Sequence, residues 1–188
     1  MSNQEFFSVH HNMTANIEPL SSDFEFPNQE TFESEIPTPF IVASEFSQLD
    51  QLSESARVEL KNSDFKHVVQ LLDTQNSKLN LLLTFMLSQQ DDEQYRNTTH
   101  SFGASQFSYY SAIETTLDTK VRVKLFLDHP AAAIYCYGVV SHVEQNEKGW
   151  DTTIQYALLR DEDEDLLIRA ALYQQQKLLR QRSLNRDK

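Results

Sequence analysis

At 188 residues the chain has the length of one domain with an elaboration. Its formal charge of -12 and pI near 4.8 argue against work on phosphate backbones, because affinity for nucleic acid comes from clustered Lys and Arg. A lone cysteine, Cys136, excludes an intramolecular disulfide, three glycines in all exclude a phosphate-cradling loop, and no apolar run approaches the ~20 residues of a membrane span.

The first segment, "EFFSVHHNMTANIEPL", alternates Phe7 and Val9, then Met13, Ala15 and Ile17, as a strand pair or one bent strand does, and Pro19 ends it. "SSDFEFPNQETFESEIPTPF", with Pro27, Pro37 and Pro39 among small and acidic residues, reads as an extended surface loop. "SEFSQLDQLSESARVEL" places Phe46, Leu49 and Leu52 at helical spacing and predicts one or two short helices.

Next comes the most regular stretch, "DFKHVVQLLDTQNSKLNLLLTFMLSQQD", with Ser63 or Asp64 as the expected N-cap. Phe65, Leu72, Leu79 and Met86 fall at d positions and Val69, Asn76 and Leu83 at a positions, about three uninterrupted heptads. Val68, Leu71, Leu81, Leu82, Phe85 and Leu87 lie outside that seam, so the second half of the helix is apolar nearly all round and must be covered on two sides. A single Asn at an a position is a device for selecting oligomer number and register. The seam therefore predicts self-association with Asn76 as the selector, or else burial in the chain's own core.

From "NTTHSFGAS" onward the period becomes two. "QFSYYSAIETTL", "KVRVKLFLDH", "AAAIYCYGVVSHVEQ" and "GWDTTIQYALL" are four strand-like runs, separated by turns at Leu117-Asp118, Asp128-His129-Pro130 and Asn146-Glu147-Lys148-Gly149. Such spacing predicts a small antiparallel sheet or barrel. "DEDEDLLIRAALYQQQKLLRQRSLNR" closes the chain as a helix with acids at its start and bases near its end, as the helix dipole favours.

Few residues suggest chemistry. The acids Asp161 to Asp165 lack the glycine and ligand spacing of a calcium loop, and the helix dipole accounts for them. His10, His11, His67, His100, His129 and His142 are scattered without metal-like spacing, so neither a catalytic residue nor a metal ligand is expected. Cys136 alternates with Ile134 and Gly138 and reads as buried packing. Arg182 and Arg186 stand four apart on one helix face, able to clamp a phosphate or simply to end a solvated helix. Charge is uneven: residues 1–56 hold ten Asp or Glu and no Lys or Arg, whereas residues 169–188 hold six Lys or Arg.

In order, these parts resemble the PilZ domain. "IYCYGVVSHVEQ" is similar to the strand in which that family carries an apolar run followed by Gly and Val, "TTIQYALL" to its last strand, and "EDEDLLIRAALYQQQKLLRQR" to its closing helix. "FFSVHHNMTANIEPL", "PFIVASE", "LLDTQNSKLNLLLTFMLSQQDDE" and "FGASQF" extend the resemblance to the family's atypical, oligomeric branch. That resemblance implies an α+β fold: a small antiparallel β-barrel with a helical insertion containing the long heptad helix, and a C-terminal helix. It implies one domain over 1–188, divided into a first strand region (1–20), an acidic loop with short helices (21–62), the heptad helix (63–92), the remaining barrel strands (99–160) and the closing helix (161–186).

Typical PilZ domains are receptors for cyclic di-GMP, using RxxxR before the barrel and (D/N)xSxxG at an early strand. Here residues 1–56 contain no Arg, and neither Arg57 nor Arg96 has a second Arg four positions away. In "THSFGASQF", Ser101, Gly103 and Gln106 stand where the second motif has its acid or amide, its Ser and its Gly. The resemblance therefore implies a non-enzymatic adaptor in cyclic di-GMP-linked control of motility, pili or virulence, and a sequence with neither a membrane span nor a signal-peptide pattern is expected to be cytoplasmic. Its expected partners are itself, as a dimer or tetramer, and regulatory proteins, with no cofactor. The alternative is a divergent receptor holding cyclic di-GMP through Arg182 and Arg186.

Overall fold

The computed structural model of the chain describes residues 8–61, 64–128 and 131–186, with the side chains of residues 55 and 184–186 left aside. Phe7, Ser63, His129 and Pro130, which figure in the expectations above, lie outside the described residues. Seven strands run antiparallel: β1 (Ser8–His10), β2 (Thr14–Pro19), β3 (Arg96–Gly103), β4 (Gln106–Ser111), β5 (Lys120–Asp128), β6 (Ala131–Asn146) and β7 (Gly149–Leu158). Their order is β1-β3-β2-β5-β6-β7-β4, and β4 pairs back onto β3 to close a barrel.

β1 and β2 share one edge of β3, with Ser8 opposite Gly103 and Thr14 opposite Thr98, so they form one bent strand and the closed ring has six members. Thr99 fills the bend. Its Oγ1 accepts from the Met13 amide at 3.1 Å and donates to the His11 carbonyl at 3.0 Å, satisfying two main-chain groups that the bend takes out of the ladder.

Two apolar clusters explain why "AAAIYCYGVV" is continuously apolar instead of alternating. Ile134, Cys136 and Val140 point into the barrel with Ile17, Val123, Leu125 and Ile154, while Ala133, Tyr135 and Tyr137 point outward under helices. A strand covered on both faces has no solvent side to make polar.

Four helices do the covering among the described residues. The expected surface loop contains α1 (Gln29–Glu35), whose N-cap Asn28 accepts from the Thr31 amide at 2.9 Å. Phe32 and Ile36 pack from α1 and its C-cap onto Tyr135 and Tyr137, and two well-placed apolar residues suffice to hold so short a helix. Instead of one or two short helices, α2 (Thr38–Lys61) runs for 24 residues, with Pro39 in its first turn, where a missing N–H costs nothing. α3 (Lys66–Ser88) follows; Phe65 is its N-cap residue and makes no side-chain cap bond, in place of the expected Asp64. α4 (Asp161–Arg186) closes the barrel through Leu166, Leu167, Ala170 and Ala171. Burying each leucine fully stabilises the fold by roughly 1.5–3 kcal/mol.

Two expectations for the sheet change. β3 adds a strand that the alternation did not reveal, and β4 ends at Ser111 instead of running on to Leu117. Asp118 then turns the chain into β5 with a left-handed φ of 62°, its amide bonded to the Val140 carbonyl at 2.9 Å.

Candidate functional site

The heptad helix divides its seam between two environments. Val69 and Leu83 are 7% and 3% exposed, whereas Leu72 and Leu79 are 52% and 47% exposed. Phe65 is more exposed still, and Met86 is half-buried against the helices and outer barrel strand. The a positions thus turn toward the chain's own α2 and barrel, and most of the d positions face outward.

Asn76 lies on the inward side. Its amide donates to Asp50 Oδ1 of α2 at 3.2 Å, and Arg57 of α2 meets Asp73 Oδ1 of α3 at 2.7 Å. Polar pairs therefore join the two helices over this stretch. Between them lies an open cleft of about 250 Å³, walled by Ala56 and Leu60 on one side and Val69 and Leu72 on the other.

Val68, Leu71, Leu81, Leu82 and Phe85 are also exposed, and they change the register of the outward stripe. Phe65, Val68, Leu72, Gln75, Leu79, Leu82 and Met86 succeed one another at steps of three and four residues. This is a second heptad seam on the same helix, displaced from the first, with Gln75 as its polar position. The sequence held both seams, but only exposure separates the one that faces outward.

Ser101, Gly103 and Gln106 lie at the β3–β4 turn, where Phe102 points into the barrel core and β1 occupies the β3 edge as far as Gly103. Arg182 is exposed on the last turns of α4, and the Arg186 side chain lies outside the described residues. α4 approaches β1 at Gln174, whose amide is 3.4 Å from His11 Nε2, and Leu178 packs against the barrel core one turn later.

Elsewhere the structure pairs residues that are far apart in sequence. His100 Nε2 lies 3.0 Å from Asp151 Oδ1 and stacks on Tyr110 at 4.4 Å, with Lys148 over the same tyrosine ring at 5.3 Å. Arg122 pairs with Glu18 at 2.8 Å, and Tyr137 donates to Glu35 at 2.9 Å, fixing α1 on the barrel. Of the five acids opening α4, Asp163 is fully buried and held by Arg160 at 2.8 and 2.9 Å. Burial raises its carboxyl above the usual range, and the Arg160 guanidinium works against that rise. Burial likewise pushes the Cys136 thiol well up, which keeps it protonated and suited to packing. Among the described residues no cluster of His, Cys, Asp or Glu could hold a metal, and no helix is long and apolar enough to cross a membrane.

No family model matches the chain, and no curated protein matches it. Solved structures do. The inhibitor of motility MotI/DgrA of Bacillus subtilis aligns over 94% of this chain and 53% of its own, with 8% identity and a TM-score of 0.49, so the chain spans about half the length of that protein. A pathogenic protein from Xanthomonas campestris, described as a tetrameric PilZ domain self-assembled through a helical bundle, aligns over 94% of this chain and 91% of its own, with 14% identity and a TM-score of 0.58. The likeness to the Xanthomonas protein extends over nearly the whole of both molecules, and the chain has the fold of a PilZ domain, here with helices inserted between β2 and β3.

Proposed function

We propose that the chain is a non-enzymatic signalling adaptor that self-associates through α3 and acts in cyclic di-GMP-linked regulation in the cytoplasm. The observation that carries this reading is the outward seam of α3, in which Val68, Leu72, Leu79 and Leu82 stand exposed on a helix whose opposite side is already packed. So long an apolar stripe on a soluble surface marks an interface, and heptad spacing is the pattern that a second helix fits. The similarly folded Xanthomonas protein, described as assembling through a helical bundle, supports the same use of the insertion. Regulatory proteins are the further partners of such an adaptor.

Absence of RxxxR before the barrel and of (D/N)xSxxG at the β3–β4 turn supports an adaptor that does without the typical nucleotide site. Sedimentation of the purified chain, together with calorimetric titration of cyclic di-GMP, tests both halves. The expected result is a mass that is a multiple of the 21.8 kDa chain, and no saturable heat. A monomer at high concentration overturns the self-association. Saturable binding that disappears in the Arg182→Ala, Arg186→Ala double variant replaces the adaptor by a divergent receptor using the end of α4.

A further inference from the structure

β6 outruns its partner on one side. It pairs with β5 only as far as Val139, opposite Lys120, but with β7 as far as Asn146, opposite Gly149. Val140 commits its main chain to the lead-in of β5, its amide to the Thr119 carbonyl and its carbonyl to the Asp118 amide, both at 2.9 Å. The left-handed turn at Asp118 then carries the chain away, so the lane beside Ser141–Asn146 holds no strand among the described residues. That open edge is six residues and about 20 Å long. Register decides which groups face it. The two-residue turn Glu147-Lys148 makes Asn146 and Gly149 a hydrogen-bonded pair, and by alternation Glu144 and His142 also direct their main chains to β7. The slip between Val140 and His142 brings this about, because before it the even-numbered residues face β5. Val143 and Gln145 therefore turn N–H and C=O toward the empty lane. Sheets guard such edges with Pro, Lys or a covering helix, whereas "SHVEQN" has neither residue and is exposed except at Val143.

We infer that the β6 edge at Val143–Gln145 docks an extended segment of a partner protein, added as an antiparallel strand in which basic side chains alternate with apolar ones. The inference rests on the adaptor reading above and names the surface that holds the protein partner. Four features fit this occupant. Main-chain donors and acceptors repeating every second residue are matched by a strand and not by a helix. The surroundings are acidic: Glu144 on the edge, Glu147 at the turn, and Glu114 and Asp118 on the loop before β5 are all exposed. Of the bases nearby, Lys148 is drawn across β7 to the Tyr110 ring of β4, and His142 lies 3.7 Å from Glu144. Leu117, 54% exposed beside Asp118 at the head of the lane, offers an apolar contact. Finally, β6 already accepts such a strand, since β5 alternates Lys120, Arg122 and Lys124 with Val121, Val123 and Leu125. A second copy of β6 fits less well, because the register that engages Val143 and Gln145 of both copies sets the two Glu144 side chains directly opposite.

The probe is a labelled synthetic peptide with the alternation of β5, KVRVKL, read by fluorescence anisotropy against KKRVVL, which has the same composition without the alternation. Saturable binding of the first, about tenfold tighter than the second, is expected, with the Val143 and Gln145 amides becoming protected from hydrogen exchange. Gln145→Pro removes an N–H from the open side and none from the β7 ladder. It is expected to bind the peptide about tenfold more weakly while keeping the wild-type midpoint of urea denaturation. Glu144→Lys is expected to weaken binding by a similar factor, since it places like charges together. Equal binding of the two peptides, unchanged exchange at Val143 and Gln145, or wild-type binding by both variants overturns strand addition. A lowered urea midpoint for Gln145→Pro overturns the register on which it rests. Amides already protected in the free protein, and released on dilution, give the edge to a second copy and overturn the partner segment. An assembled protein that ignores KVRVKL loses this inference and keeps the self-association proposed above; a monomer that binds it does the reverse.

Discussion

Asn76 donates its side-chain amide to Asp50 across 3.2 Å, so the polar residue of the most regular heptads is engaged with its own chain. Replacing Asn76 with Leu removes the donor from a half-buried carboxylate and is expected to cost about 1 kcal/mol of stability while leaving the assembled mass unchanged. Gln75, one residue earlier, is exposed on the outward seam, and Gln75→Leu is expected to raise stability while broadening the distribution of oligomer number. Chemical denaturation and sedimentation of the two variants separate the roles; a broadened mass distribution for Asn76→Leu alone returns the selector role to Asn76.

Gly138 lies where β6 and β7 slip register and approach closely. A Cβ placed there would come within 2.5 Å of Ile154 Cγ2 and 3.0 Å of the Gln155 carbonyl, while the strand is buried on both faces. Gly138→Ala is therefore expected to destabilise the chain by about 1–3 kcal/mol through overpacking, even though alanine is the better strand residue. A midpoint of urea denaturation equal to the wild type excludes this close packing.

The strands and closing helix were legible where local pattern and tertiary role agree. The continuous run of β6 and the two-residue turn Glu147-Lys148 needed no information from elsewhere in the chain. α1 was not legible, because its neighbouring prolines suggested a loop and its apolar anchors are just two residues, Phe32 and Ile36. β3 escaped for a different reason: its partner bends at residues 11–13, so alternation on both strands is interrupted. The direction of the α3 seams was hidden most deeply. When a helix is apolar nearly all round, the series through Val69 and Leu83 and the series through Val68 and Leu82 satisfy three-four spacing equally. Only the position of α2, fixed by Asp50 and Arg57, decides which series faces inward.

The bend between β1 and β2 depends on one hydroxyl. Thr99 Oγ1 both accepts from Met13 and donates to His11, so Thr99→Val keeps the shape and β propensity while leaving two main-chain groups without a partner. A loss of about 1–3 kcal/mol is expected. Hydrogen exchange places the effect: the Met13 amide should exchange much faster in the variant, and a protected Met13 amide shows that the bend does not rely on Thr99.

Asp163 and Arg160 make the most demanding polar contact at the start of α4, since the carboxylate is fully buried and the guanidinium nearly so. Arg160→Met leaves that carboxylate without its counter-ion and is expected to cost about 3–5 kcal/mol at neutral pH. Burial already raises the Asp163 carboxyl above its ordinary value of 3.8. Between that value and the raised one, the folded chain holds a proton that the unfolded chain releases. The contribution of Asp163 therefore favours the fold at low pH and is lost as pH rises through the raised value. Without Arg160 the carboxyl rises further, so the penalty in Arg160→Met is expected to shrink as the solution is acidified. Asp163→Asn, having no proton to exchange, lacks this dependence. Urea denaturation of the three proteins across acidic and neutral pH reads the difference directly, and an Arg160→Met penalty that grows on acidification shows that the ion pair is not what Arg160 contributes.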